Sequence, residues 1–170
     1  ELRQIPLTRE KRTLCVEEAL NHCDENTICI VPIAGVTWTG LNDDIEALDR
    51  ELEEFNKKTG YDIPIHVDAA SGGFILPFVS PDTRWDFRLR NVISISTSGH
   101  KFGLVYPGLG WVIWRDKSYL PEEMSFSVNY LGAEVTQVGL NFSRPAAQVL
   151  GQYYNFIRLG REGYTRVQQN

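Results

Sequence analysis

The stretch "DIPIHVDAA" (residues 62–70) decides the fold, because it predicts a buried strand that ends at a carboxylate. Ile63, Ile65 and Val67 occupy every second position, as apolar residues do in a strand. Asp68 follows at the end of this run. A carboxylate in that position is unfavourable unless a partner pairs with it. The small residues after Asp68 leave room for a flat group to approach the backbone.

Further strands and helices alternate along the chain on either side of this stretch. The predicted strands are residues 27–33, 62–70, 91–97 and 110–115. The predicted helices are residues 8–23 (capped by Thr8), residues 42–58, and a helix from the cap Ser143 to Gly160. Near-continuous apolar strands alternating with helices predict an α/β fold with a mainly parallel sheet flanked by helices.

Two of the predicted helices have an apolar face at helical spacing. The helix 42–58 is the clearer one, since aspartates open it, lysines close it and Gly60 follows as a stop signal. Its predicted buried face is Ile45, Leu48, Leu52 and Phe55. The predicted buried face of the last helix is Ala146, Val149, Leu150 and Tyr153.

Polar clusters follow two of the predicted strands, and ligands of parallel sheets bind at the carboxyl ends of the strands. One cluster is Asp68, and the other is Ser96 to Lys101 in "SISTSGHK". A desolvated lysine can act as a nucleophile or form a Schiff base. Taken singly, Asp68 is equally well a structural turn residue, and Lys101 a surface loop lysine.

Together the two clusters indicate a particular cofactor. A pyridine nitrogen needs an acidic partner to stay protonated, an aldehyde needs a lysine, and a phosphate needs small hydrogen-bond donors. Asp68, Lys101 and the serines offer these three features, which match the requirements of pyridoxal phosphate.

Composition excludes several other classes of protein. The chain has 170 residues, of which 42% are hydrophobic, and a net charge of -5, which argues against a general nucleic-acid binder. No run of 18 apolar residues predicts a membrane helix, and no His, Cys and Asp cluster has the spacing of a zinc site. The three cysteines are expected to be reduced thiols. We therefore expect a cytoplasmic protein without a metal, a membrane or a nucleic acid as partner.

Motifs along nearly the whole chain closely resemble the glutamate decarboxylase family of group II pyridoxal-phosphate-dependent decarboxylases. The motifs are "LRQIPL", "CDENT", "GVTWTG", "HVDAASGGF", "WDFRL", "SGHKFG", "GWVIWRD", "NYLG", "NFSRPAAQVLGQYY" and "RLGREGY". The resemblance implies that residues 1–170 are the central part of the large cofactor-binding domain of a fold-type I enzyme. The chain starts at Glu1 without a methionine, so we expect a segment that lacks an N-terminal part and a C-terminal small domain.

The resemblance implies a role for each residue around the cofactor ring. Lys101 would carry pyridoxal 5'-phosphate as an aldimine, and Asp68 would pair with the pyridine nitrogen. Ala70 would pack against the face of the ring. Lys101 and Asp68 are therefore the expected catalytic residues.

The resemblance implies further contacts to the rest of the cofactor. His100 and Ser98 would lie at the phosphate, and Thr37 would bond near the ring hydroxyl. Ser143 would reach the phosphate of a neighbouring subunit, and a hairpin-like stretch around 126–138 would lean over that subunit's active site. A homo-oligomer follows, with a dimer as the minimal unit and often a hexamer.

The activity implied by the resemblance is α-decarboxylation of L-glutamate to γ-aminobutyrate and CO2. Two alternatives stay open at this point. One is a decarboxylase of the same group that acts on a different amino acid, since no arginine here is clearly committed to the side-chain carboxylate. The other is a non-catalytic piece that keeps the fold, and we expect little or no turnover from residues 1–170 alone.

Overall fold

The fold is built on a mixed sheet of three strands flanked by helices, within the predicted α/β class. The computed structural model describes residues 1–120, 122–130, 132–137 and 144–170. Strand β1 (Ile65–Asp68) pairs in parallel with β2 (Val92–Ser98), and β2 pairs antiparallel with β3 (Gly110–Trp114). The connection from β2 to β3 contains no helix, and a chain that turns back without a crossover can only pair antiparallel.

The segment 27–33 was predicted as a buried strand, and this prediction was wrong. It runs parallel to β1 but makes only isolated bridges, Ile30 to Ile65 and Ile33 to Asp68. Pro32 lacks an N–H group and so interrupts a continuous ladder. Ile28 is 85% exposed. The segment therefore extends the sheet edge beyond β1 without being a strand of it.

Helix α2 (Ile45–Thr59) matches its prediction closely. The Asp44 side chain caps it by accepting a hydrogen bond from the Ala47 N–H, and Gly60 ends it with a left-handed φ of 78°. Ile45, Leu48 and Leu52 are buried in the core, and Phe55 packs against that core. The face that this helix buries covers the inner residues of β1 and β2, Ile65, Val67, Val92 and Ile95.

Two other helices differ from their predictions. Helix α1 covers only Val16–Asn21, and the predicted cap Thr8 lies in a separate local turn, where its Oγ accepts a hydrogen bond from the Lys11 N–H. A further helix that the sequence pattern did not predict, α3 (Leu76–Val79), consists of a single turn. Helix α4 (Ala147–Gln169) is broken by a non-helical Gly160 but continues beyond it. Its predicted cap, Ser143, lies outside the described residues.

The buried face of α4 is not the one that the apolar pattern predicts. Val149, Leu150 and Tyr153 are exposed, whereas Gln152, Gly163 and Tyr164 are buried. The helix packs through Tyr164 against α3 and through amide side chains against the turn that follows β2. The polar groups of that turn select the amide face because buried carbonyl groups need donors.

A separate hairpin of β4 (Phe126–Tyr130) and β5 (Ala133–Gln137) follows β3. It lies where the sequence predicts a hairpin-like stretch around 126–138. Within the part of the chain that the structure describes, no helix is long and apolar enough to cross a membrane.

Candidate active site

Asp68 lies at the carboxyl end of β1, and backbone hydrogen bonds hold it on both sides. Its N–H donates to the Pro32 carbonyl at 3.0 Å, and its carbonyl accepts from the Ala34 N–H at 2.9 Å. In the side chain, Oδ1 accepts from the Ala70 N–H at 3.0 Å. Oδ2 has no hydrogen-bond donor among the described residues. The half-buried carboxylate therefore has one fixed oxygen and one that is open to a ligand.

Lys101 lies in the turn that directly follows β2. Its N–H donates to the Ser98 carbonyl at 3.2 Å. Its side chain turns toward the loop after β1, where Nζ donates to Ser71 Oγ at 3.4 Å. The side chain is exposed in this chain. Its amine is therefore accessible to a reactant, and its nearest hydrogen-bond partner belongs to the loop that begins at Asp68.

Backbone hydrogen bonds join the two strand ends into one site. The Ser98 N–H donates to the Ala70 carbonyl at 3.1 Å, and the Ala69 N–H donates to the Ser96 carbonyl at 2.9 Å. The Ala70 N–H therefore holds the Asp68 carboxylate, and the Ala70 carbonyl holds the start of the turn that carries Lys101, which we call the lysine turn (residues 98–104). The structure brings Asp68, Ala70, Ser98 and Lys101 together, as the parallel pairing of β1 and β2 predicts.

The structure does not bring the remaining expected cofactor contacts that it describes, His100 and Thr37, together with Asp68 and Lys101 in the same way. The His100 ring is hydrogen-bonded through Nδ1 to the Leu109 carbonyl at 2.6 Å, at the start of β3. Thr37 lies exposed in a turn that begins at Val36, and the preceding Gly35 packs against the loop at Gly72. A Cβ at Gly35 would lie 2.8 Å from the Gly72 nitrogen, so only glycine permits this approach. Ser143 lies outside the described residues.

A polar face of the sheet continues from Asp68 through His66. The His66 ring is hydrogen-bonded to Ser94 Oγ at 2.7 Å and to Ser96 Oγ at 3.2 Å. Burial lowers the pKa of His66, and the neighbouring Asp68 charge opposes this effect. His66 is thus a hydrogen-bonded strand residue, and it is neutral at pH 7 because its pKa lies below the ordinary value near 6.5.

The sequence analysis missed three residues that contact the lysine turn. Ser71 counted only as one of the small residues after Asp68, although its hydroxyl is the partner of Lys101. Gln152 and Tyr164 are buried, and both are hydrogen-bonded to the Gly103 carbonyl. Gln152 is one of several polar residues of its helix, so no signal in the sequence singles it out.

The arrangement places a primary amine and a carboxylate at adjoining strand ends with small residues between them. It can hold an aldehyde at the amine and a protonated ring nitrogen at the carboxylate. In the described ranges, which omit residues 121, 131 and 138–143, no group of three or more His, Cys, Asp or Glu side chains could hold a metal ion.

Comparisons with known proteins confirm the resemblance and the α/β fold class. The chain is 56% identical over 169 residues to a glutamate decarboxylase of Lactococcus lactis subsp. cremoris (strain MG1363), covering 99% of this chain but only 36% of that protein. The solved glutamate decarboxylase of Lactobacillus brevis CGMCC 1306 matches with a TM-score of 0.91 and 54% identity, over 96% of this chain and 37% of that one.

A more distant match is the sphingosine-1-phosphate lyase of Burkholderia pseudomallei K96243. It has a TM-score of 0.75 and 31% identity, over 92% of this chain and 36% of that one. The family model "Pyridoxal-dependent decarboxylase conserved domain" matches residues 1–170. The chain therefore belongs to the pyridoxal-dependent decarboxylase family.

Proposed function

We propose that the protein containing this chain is a pyridoxal-phosphate-dependent glutamate decarboxylase, which converts L-glutamate to γ-aminobutyrate and CO2. The observation that carries the proposal is the joining of Asp68 and Lys101 at adjacent strand ends through Ala70. The choice of glutamate is supported by the relatives, which are named glutamate decarboxylase at 56% and 54% identity.

The residues present fit pyridoxal phosphate. Lys101 offers a primary amine for the aldehyde, and Oδ2 of Asp68 is free to accept a hydrogen bond from a protonated ring nitrogen. Between them, Ala70 presents only a methyl group, so a flat ring can approach. When bound, the cofactor supplies an electron-accepting ring that weakens the bond between the α-carbon and the carboxylate.

The chain's own residues hold the reacting groups in place. Ser71 Oγ accepts a hydrogen bond from Nζ and so keeps the amine beside the loop that starts at Asp68. The Asp68 carboxylate is fixed by the Ala70 N–H, and a carboxylate so fixed stabilises a positive charge opposite its free oxygen. Across the reaction the α-carboxylate leaves as CO2 and a proton takes its place, so each turnover consumes one proton.

The protein is proposed to be a cytoplasmic homo-oligomer with a dimer as its minimal unit and a hexamer as a larger form. Within the dimer, Ser143 would complete the phosphate site of a neighbouring subunit, and His100, Ser98 and Thr37 would complete the site in their own subunit. Light scattering of the purified full-length protein measures the number of subunits. A monomer that is fully active would contradict this assembly.

The test of the activity uses the full-length protein with pyridoxal phosphate. We expect γ-aminobutyrate from L-glutamate, and borohydride reduction should attach the cofactor to Lys101, as peptide mass mapping would show. Lys101→Ala should abolish both γ-aminobutyrate formation and the cofactor label, whereas Lys58→Ala, at an exposed lysine, should leave the activity and the label unchanged. Faster release of CO2 from another amino acid would support the alternative decarboxylase, and absence of the label on Lys101 would refute the proposed site.

A further inference from the structure

The turn that carries Lys101 makes few strong hydrogen bonds of its own. Within it, the Lys101 N–H reaches the Ser98 carbonyl at 3.2 Å and the Leu104 N–H reaches the Lys101 carbonyl at 3.4 Å, both long for N–H···O bonds. Leu104 has a φ of 66°, a left-handed conformation that is uncommon for a residue with a side chain. The turn therefore needs support from outside to keep one conformation.

Helix α4 provides this support through two buried side chains, Gln152 and Tyr164, which together we call the lysine-turn clamp. The Gln152 Nε2 group donates to the Gly103 carbonyl at 2.9 Å and to Tyr164 Oη at 2.8 Å. The Tyr164 hydroxyl donates to the same carbonyl at 2.9 Å. Gln152 is 0% and Tyr164 is 1% exposed, so water cannot replace either bond.

The clamp fits the two glycines that flank Lys101. A Cβ on Gly99 would lie 2.4 Å from Gln152 Oε1, and a Cβ on Gly103 would lie 2.7 Å from the same atom. Both glycines are therefore in direct contact with the amide. The amide oxygen has no hydrogen-bond partner among the described residues, so the contact with the glycines and the bonds of Nε2 fix the amide. Gln152 thus contacts the turn on both sides of His100 and Lys101, at Gly99 before them and at Gly103 after them.

We propose that Gln152 and Tyr164 are positioning residues that hold the Lys101 turn in the conformation able to take the cofactor. The inference rests on the proposed function, because it assigns Lys101 as the residue that carries pyridoxal phosphate. If the turn samples other conformations, the apparent affinity for the cofactor falls in proportion to the competent fraction. The clamp raises that fraction without touching the cofactor itself.

The test compares three variants of the full-length enzyme. Tyr164→Phe removes only the hydroxyl and keeps the ring, which is stacked on Phe78 with centroids 5.0 Å apart. Gln152→Leu removes the amide. Gln148→Leu is the matched control, since this half-buried amide of the same helix donates to the Pro107 carbonyl at 2.9 Å, outside the turn 98–104.

The main measurement is hydrogen–deuterium exchange of the turn peptide 98–104 in the apoenzyme, with the strand peptide 92–97 as an internal reference. We expect Tyr164→Phe and Gln152→Leu to speed exchange in the turn, and to raise the apparent dissociation constant of pyridoxal phosphate, by about tenfold each, the factor for one buried hydrogen bond. Gln148→Leu should change both the exchange of the turn and the cofactor affinity by less than about twofold, because its partner Pro107 lies outside the turn.

Unchanged exchange in the turn of Tyr164→Phe would overturn the proposal, as would an equal rise in the strand peptide. If Gln152→Leu does not fold, Tyr164→Phe decides the matter alone. Borohydride labelling of the wild-type enzyme separates this result from the proposed function. A missing label on Lys101 refutes the cofactor site, and the exchange comparison still shows whether the clamp holds the turn.

Discussion

At the scale of single residues, Asp68 is the side chain whose chemistry can be tested most directly. Asp68→Asn keeps the shape and can still contact Ala70, but it removes the negative charge opposite the ring nitrogen. A hydrogen bond to a charged group contributes about 1.5–3 kcal/mol, so we expect kcat of the full-length enzyme to fall about ten- to a hundredfold.

The matched control for that variant is Asp62→Asn, an exposed aspartate just before β1. It should leave kcat within about twofold of the wild-type value, as surface changes generally do. An Asp68→Asn enzyme that keeps wild-type turnover would show that Asp68 is a structural turn residue.

His66, on the polar face of the sheet, makes the stability of the folded chain depend on pH. Burial lowers its pKa in the folded chain, while in the unfolded chain it takes up a proton at the ordinary value near 6.5. The unfolded state therefore binds more protons below that pH, and stability falls as the pH drops through 6.5 toward the lower folded value. His66→Gln should remove the part of this acid-induced loss of stability that the histidine causes.

The measurement is the thermal midpoint of the apoenzyme at pH 7.5 and pH 5.5. The drop in the midpoint between these pH values should be smaller for His66→Gln than for the wild type. His22→Gln, at the end of α1, should show the full wild-type drop. A His66→Gln variant that loses as much stability as the wild type would contradict the assigned cause.

The sequence was sufficient to predict that Asp68 and Lys101 lie at strand ends, because each follows a strand pattern that is visible locally. It was not sufficient for Ser71, Gln152 or Tyr164. Their partners lie far along the chain, and Gln152 and Gly103 are 49 positions apart. Contacts of that range depend on how elements pack, and no local spacing reports them.

At the scale of elements, α2 is a helix whose buried face follows from its local sequence, and α4 is one whose buried face depends on packing. Helix α2 buries an apolar stripe, so its pattern and its cap Asp44 predict both its face and its start. Helix α4 meets backbone carbonyl groups and therefore buries Gln152 in place of Leu150, which is 68% exposed. Apolar periodicity cannot predict a face that is selected by hydrogen bonds.

Gly160 is the element-scale feature that permits a direct test. Its φ of 58° and ψ of -168° belong to a region that is essentially restricted to glycine. Beyond the adjoining backbone, none of the described residues has an atom within 4 Å of an added Cβ, so the cost of a side chain would be conformational. Gly160→Ala should lower the free energy of unfolding by about 1–3 kcal/mol.

Gly151→Ala in the same helix is the control for that prediction. An added Cβ there would be 3.6 Å from Val105 Cγ1, an ordinary contact. Replacing a helical glycine by alanine should stabilise the helix by up to about 1 kcal/mol. Denaturant midpoints of the two variants should thus move in opposite directions, and equal midpoints would show that α4 is not kinked in solution.

At the scale of the whole molecule, the chain leaves large apolar side chains uncovered. Trp38 is 94% exposed, Tyr106 is 85% exposed, and Ile157 is 68% exposed. The chain spans 36% of the length of the Lactococcus lactis relative. Under the proposed function, further chain or a second subunit would cover these residues, which neither composition nor periodicity within residues 1–170 reveals.

The proposed function also predicts how residues 1–170 behave when prepared alone. Lys101 is exposed in this chain, as are Lys57 and Lys58, so burial does not distinguish its amine from those of surface lysines. Pyridoxal phosphate followed by borohydride should therefore label these lysines to similar extents in the isolated segment. In the full-length protein the label should fall mainly on Lys101, because the complete site adds contacts to the phosphate and the ring. Peptide mass mapping of both preparations measures the ratio, and selective labelling of Lys101 in the segment would show that Asp68, Ala70 and Ser71 suffice to direct the cofactor.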